Sequence, residues 1–219
     1  MLLIIARVIH GIVSNVQNIC KTLNARNIPY LITLKCDPTI IRRKDIRGLI
    51  IPGSPHRICP EKMQHILELE LYYLFHFPKL PVLGLCHGCQ VLMLYYGGDL
   101  LSYNSYWIGT KNIELELSID EIFHGEERTQ KLYVQFHDIP VVTPRAKKAG
   151  VREIAWFTEF RDGQRRAAAF EFEKGRIYGF MFHPEAKKET RPILYNFYDN
   201  VCMASSSTAS SSASSSAAS

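Results

Sequence analysis

Long apolar runs are missing from this sequence: no stretch approaches eighteen consecutive apolar residues, which leaves no candidate for a membrane-spanning helix. The apolar run Met1 to Ile9 is too short for a secretory signal and lacks its small-residue cleavage pattern. A disulfide framework is missing too. Cys20, Cys36, Cys59, Cys86, Cys89 and Cys202 are scattered without the spacing of a stapled secreted domain, so a reducing, cytoplasmic setting is expected. Cys86-His87-Gly88-Cys89 is formally a C-x-x-C, which reads as a redox pair or as half of a zinc site. No second C-x-x-C completes a tetrahedral set, so no metal is expected. No basic stripe interleaved with aromatics is present, which argues against nucleic acid as a partner. The net charge of +5 falls partly in Arg42-Arg43-Lys44, Arg145-Ala146-Lys147-Lys148 and Arg161 to Arg166. These clusters read as solvated loops, or as a contact for phosphates or an acidic partner surface.

What is present suits one globular domain: 219 residues, 47% hydrophobic and 21% charged, enough to bury a substantial core. That domain is expected to span 1–203. From Ala204 to Ser219 only alanine, serine and one threonine occur, a composition that cannot bury apolar surface and should be disordered.

The chain is organised around Pro81 to Gly98. An apolar run after Pro81 reads as a buried strand, and Val91 to Tyr96 reads as a helix stopped by Gly97-Gly98. Cys86 then falls where strand turns sharply into helix, a nucleophile elbow. A helix N-terminus favours the anionic form of a thiol placed on it and offers N–H groups to a developing oxyanion. Gly84 and Gly88, two positions to either side, match the crowding of such a turn.

Upstream, Leu2 to Ile9 reads as a strand covered on both faces, Ser14 as the cap of a helix carrying Val16, Ile19 and Leu23, and Tyr30 to Leu34 as a second strand. Gly48 to Ile51 is a third strand, ended by Pro52-Gly53-Ser54-Pro55, and Pro60 opens a helix running to about Phe77. This alternation implies an α/β fold with a doubly wound, mostly parallel sheet, whose ligands bind at the carboxyl ends of the strands. The Pro52 to Pro55 loop would lie there beside Cys86. A backbone N–H near Gly53, paired with that of His87, could bind a tetrahedral intermediate. After Gly98 the texture changes. Ile113 to Leu117 alternates strictly, Lys131 to Phe136 suggests a strand, Asp162-Gly163 a hairpin turn, and Ala167 to Phe172 and Arg176 to Phe182 flank a second turn. These are expected to extend the sheet with antiparallel strands, and Arg191 to Tyr198 begins a closing helix.

Gly84-Leu85-Cys86-His87-Gly88-Cys89-Gln90 resembles the G-x-C-x-G-x-Q signature of class I glutamine amidotransferases, and the downstream His183-Pro184-Glu185 resembles the H-P-E that completes their triad. Pro52-Gly53-Ser54-Pro55 is similar to the family's glycine-rich loop, with Ser54 in place of its second glycine. Ile177 to Glu185 is similar to I-Y-G-V-Q-F-H-P-E, with Met181 where glutamine is frequent. Ile122-Phe123-His124-Gly125 and the end of the chain resemble more particularly the glutaminase portion of GMP synthase. The resemblance implies a flavodoxin-like fold and L-glutamine as substrate. It makes Gln90 a substrate-binding residue, and it places Asp138, in a His137-Asp138 segment after a strand, near the substrate, mainly through its backbone.

On chemical grounds, a cysteine attacking a carboxamide needs a base, for which His183 is the candidate, and a carboxylate to orient that base, for which Glu185 stands two residues on. The product would be a γ-glutamyl thioester on Cys86, with ammonia and then glutamate released. No cofactor is expected. The sequence contains neither an S-G-G-x-D-S pyrophosphate loop nor a P-loop, so a separate ATP-dependent synthetase subunit would have to consume the ammonia. Two other readings stay open: a stand-alone hydrolase of γ-glutamyl amides, and a catalytically weak regulatory protein on the same fold, which Ser54 and Met181 would favour.

Overall fold

Four-residue apolar segments buried on both faces build the centre of the molecule. In this computed structural model, which describes residues 1–9, 12–13, 16–55, 57–58 and 63–204, strand β1 (Leu2–Ile5) has every side chain buried. It lies between two parallel neighbours, so neither edge is open. The expected strand from Leu2 to Ile9 is interrupted. Val8–Ile9 (β2) leaves the sheet and pairs with Ile12–Val13 (β3) as a separate two-stranded ribbon. At the break stands Arg7, whose guanidinium makes a bidentate ion pair with the buried Glu70.

Helix α1 (Gln17–Asn24) follows, with Ile19 and Leu23 buried as its spacing requires; Ser14, the expected cap, lies outside the described residues. Strand β4 (Tyr30–Thr33) forms one edge of the sheet, and β5 (Gly48–Ile51) runs on the other side of β1. Pro60 lies outside the described residues, and α2 is described as Met63–His76. Then come β6 (Val82–Leu85) and α3 (His87–Tyr95), the two arms of the elbow. The helix begins immediately after Cys86, a full turn before Val91, because Gln90 N–H already donates to the Cys86 carbonyl at 3.1 Å.

The second half is longer-stranded than its alternation suggests. Strand β7 runs over Asp99–Leu115, a short α4 (Asp120–Phe123) follows, and β8 covers Thr129–Val141. After α5 (Pro144–Lys148) come β9 (Arg152–Phe157), β10 (Ala167–Glu173) and β11 (Ile177–Phe180). The nine-stranded sheet has the order β4-β1-β5-β6-β11-β10-β9-β7-β8. Pairings from β4 to β11 are parallel, and those from β11 to β8 are antiparallel, so the α/β core with an antiparallel extension is realised as expected. The closing helix α6 (Pro192–Asn196) continues as a π-helical turn over Phe197–Met203. The Ser/Ala tail beyond residue 204 lies outside the described residues. No helix among the described residues is long and apolar enough to cross a membrane.

Candidate active site

Cys86 stands at the junction of β6 and α3 with φ 50° and ψ −100°, a left-handed conformation that costs a non-glycine residue about 1–3 kcal/mol. The turn is held by the Cys86 N–H, which donates to the Phe180 carbonyl at 2.6 Å. Its tightness explains the flanking glycines. A Cβ on Gly88 would lie 2.1 Å from the Ile51 carbonyl oxygen, and one on Gly84 would lie 2.6 Å from the Gly88 backbone. Backbone cannot yield as a flexible side chain can, so both positions exclude any side chain.

His183 follows β11 through Met181 and Phe182. Its N–H donates to the Tyr133 carbonyl on β8 at 2.8 Å, and Phe182 bridges Val134, so the segment is anchored to the extension. Glu185 sits in the 3-10 turn Pro184–Ala186, where the Thr190 hydroxyl holds the Pro184 carbonyl at 2.8 Å. The result is a 2.7 Å contact between His183 Nδ1 and Glu185 Oε1, with both residues buried. Burial would push the pKa of His183 down, but the Glu185 carboxylate, with Cys86 close by, outweighs it and raises it well above the ordinary 6.5. Cys86 Sγ meanwhile reaches the Gln135 carbonyl on β8 at 3.3 Å. Cys86 and the His183–Glu185 pair, remote from it in sequence, thus come together at one place.

Gly53 comes up against this set from the loop after β5. A Cβ there would lie 2.8 Å from His183 Cε1 and 3.6 Å from Cys86 Cβ. Neither Gly53 nor Ser54 has positive φ, so the loop demands no left-handed residue, and serine in the position of the second glycine meets no backbone obstacle. Space, rather than backbone freedom, selects glycine at position 53. We expect Gly53→Ala to push the His183 ring aside and lower turnover by about 10- to 100-fold, in line with the penalty for a misplacement of about 1 Å. Steady-state kinetics with a matched unfolding curve checks this; wild-type turnover would show that the ring has room.

The remaining candidates lie close by but face differently. The His87 side chain is buried, with Nε2 3.9 Å from the buried Glu70 Oε1. Gln90 Nε2 donates to the Asp138 carbonyl at 2.8 Å, joining the first turn of α3 to β8. The Asp138 carboxylate is held by Arg57, through Nη2 at 2.6 Å and Nε at 3.1 Å. His137 is covered by Tyr106 in an edge contact at 4.1 Å between ring centroids. Cys89 is fully buried against Gly179, and burial raises its thiol pKa well above the ordinary value. The described cysteines are all free thiols, and no group of His, Cys, Asp and Glu among the described residues could hold a metal ion.

Sequence reasoning missed Arg57 and Gln135. A backbone carbonyl such as that of Gln135 leaves no mark in a sequence, and the partner of Arg57 is too far along the chain for spacing to reveal it.

The family model described as glutamine amidotransferase class-I matches residues 8–201. A GMP synthase (glutamine-hydrolyzing) of Staphylococcus epidermidis is 30% identical over 164 residues, which is 74% of this chain and 29% of that protein. The chain therefore spans about a third or less of the length of the curated relatives it matches. Among solved structures, a Thermoplasma acidophilum protein provisionally described as one subunit of a GMP synthase superposes with a TM-score of 0.74 at 21% identity, covering 96% of this chain and 98% of that one. The PurLQS structure from Thermotoga maritima gives 0.66 at 14% identity, covering 90% and 97%. At these identities the structural matches speak for the fold.

Proposed function

The chain belongs to the class-I glutamine amidotransferase family, and from that premise we propose that it hydrolyses L-glutamine to glutamate and ammonia and passes the ammonia to a separate ATP-dependent synthetase subunit of the GMP synthase type. The observation that carries this is that His183, paired with Glu185, and the strained Cys86 both come up against Gly53. The Staphylococcus relative is named a GMP synthase, and the Thermoplasma protein is provisionally named as part of one, which favours that acceptor chemistry in a separate partner.

In this reading His183 takes the thiol proton of Cys86, which its raised pKa favours, as Sγ attacks the side-chain amide carbon of glutamine. The oxygen of the tetrahedral intermediate is received by backbone N–H groups near Gly53 and at His87. Donors of this kind are worth about 3–4 kcal/mol each. His183 gives its proton to the departing ammonia, leaving a γ-glutamyl thioester on Cys86. It then takes a proton from the water that releases glutamate, and Glu185 keeps the ring in one orientation through both halves. Gln90, with Nε2 committed to the Asp138 carbonyl, offers Oε1 to the amino-acid end of the substrate, with the Asp138 backbone beside it, and Ser54 follows Gly53 on the loop after β5.

The test is glutamate release from L-glutamine by the purified chain, first without a partner and then with a GMP synthetase subunit, ATP and xanthosine monophosphate. Release that rises with the partner is the expected result. Faster release from γ-glutamyl peptides than from glutamine would identify a stand-alone hydrolase, and no release under either condition would leave a regulatory protein.

A further inference from the structure

Asp138 is 3% exposed, yet it carries a carboxylate at the edge of the site. A buried charge of this kind is costly unless it is paired and hydrogen-bonded. Its partner is Arg57, about half exposed, which grips both carboxylate oxygens in the planar, two-point geometry that a guanidinium provides. Burial would raise the pKa of Asp138; the bonds from Arg57 and Ser102, with the Arg57 charge and His137 behind them, hold it below the ordinary carboxylate range.

Arg57 lies in the loop that begins at the end of β5 and also carries Gly53. Asp138 is on β8, opposite Ser102 of β7, and its carbonyl receives the Gln90 amide from the first turn of α3. One residue of β8 thereby ties together the loop after β5, the elbow helix and the extension. Gly53 has no Cβ with which to fix its place, and it must stay within van der Waals reach of His183 and Cys86 without entering the ring. The ion pair is a fixed point on its loop.

We propose that Arg57 is a positioning residue: by clasping Asp138 it latches the Gly53 loop onto β8 and holds the Gly53 backbone over Cys86. This rests on the glutaminase reading for its kinetic consequence, but the latch itself is a property of the ligand-free protein. A latch on a transition-state donor acts on kcat and leaves substrate affinity largely alone.

The experiment compares wild type, Arg57→Ala, Arg57→Lys, Asp138→Asn and the double variant Arg57→Ala/Asp138→Asn. It reads kcat and KM for glutamine hydrolysis, and amide hydrogen exchange at Gly53 and Ser54 without substrate. For Arg57→Ala we expect kcat about 10-fold lower with KM within about twofold, part of the loss of one oxyanion donor, and exchange at Gly53 accelerated by a similar factor. Arg57→Lys, which keeps the charge but not the fork, should recover part of kcat. The double variant should be no worse than the poorer single one, since both remove the same contact. Unchanged kcat and exchange in Arg57→Ala would overturn the proposal, as would a lowered melting temperature with kcat intact. If wild type itself releases no glutamate, the glutaminase reading falls. Exchange at Gly53 then decides the latch alone: acceleration upholds it and an unchanged rate overturns it.

Discussion

Replacing Cys86 with alanine should abolish glutamate release while leaving the fold in place. No other group at the elbow can form the thioester, so the expected loss is about 10⁴-fold or more, leaving only what the oxyanion side and binding contribute. The fold should survive because the Cys86 contacts that hold the turn are backbone ones: its N–H to Phe180 and its carbonyl to Gln90. Alanine would carry the same φ of 50° and the same strain, so the circular dichroism spectrum and the unfolding midpoint should stay close to wild type. Measured with a coupled glutamate assay, residual turnover above about one part in a thousand would mean that another nucleophile acts. Cys89 is not a substitute, since it is buried against Gly179 with its thiol pKa raised.

Glu185→Gln should have the next largest effect, a fall in kcat of about 10⁴-fold, the scale on which removing the charge behind a catalytic histidine acts elsewhere. The cause is visible in what opposes what at His183. Burial pushes its pKa down, and Glu185 is the foremost group pushing it up. Without the carboxylate, the foremost group that keeps a proton on the ring is gone, so its pKa falls and it is a poorer donor to the departing ammonia. Stability should follow. A histidine whose pKa is raised on folding contributes stability in full below its unfolded value of about 6.5, and loses that contribution as pH rises through the folded value. With its folded pKa raised less, the variant keeps less of that low-pH contribution. The stability gap between wild type and variant should therefore be wider at about pH 5.5 than at about pH 8.5 in urea titrations. A gap independent of pH would remove the ionic account of the pair.

The parallel half of the sheet was legible because its strands are short, doubly buried and punctuated by proline and glycine. Leu2–Ile5, Gly48–Ile51 and Val82–Leu85 each carry a run that only a central strand needs. The extension was less so. Most of Asp99–Leu115 is exposed or half-buried, so alternation marks only its last residues, and Arg152–Phe157 gave no pattern strong enough to read. The ion pair at the break in the first strand was also hidden: hydropathy cannot show that Arg7 has a buried acid waiting for it on α2.

The sequence by itself determined the elbow: a cysteine at a strand-to-helix turn stands between two glycines because such a turn has no room for side chains on either side. It also carried the His183-Pro184-Glu185 motif, whose resemblance to the family's H-P-E pointed to a base and an orienting acid. The tertiary structure alone decided how these groups are placed. It set the His183 ring against Gly53, placed the His87 side chain beside Glu70, brought the Gln135 carbonyl to the thiol and closed Arg57 onto Asp138. The contacts of Gln135 and Asp138 come from the register of β8 across the carboxyl edge of the sheet, and the others from the packing of neighbouring strands and helices, none of which a local pattern of residues records.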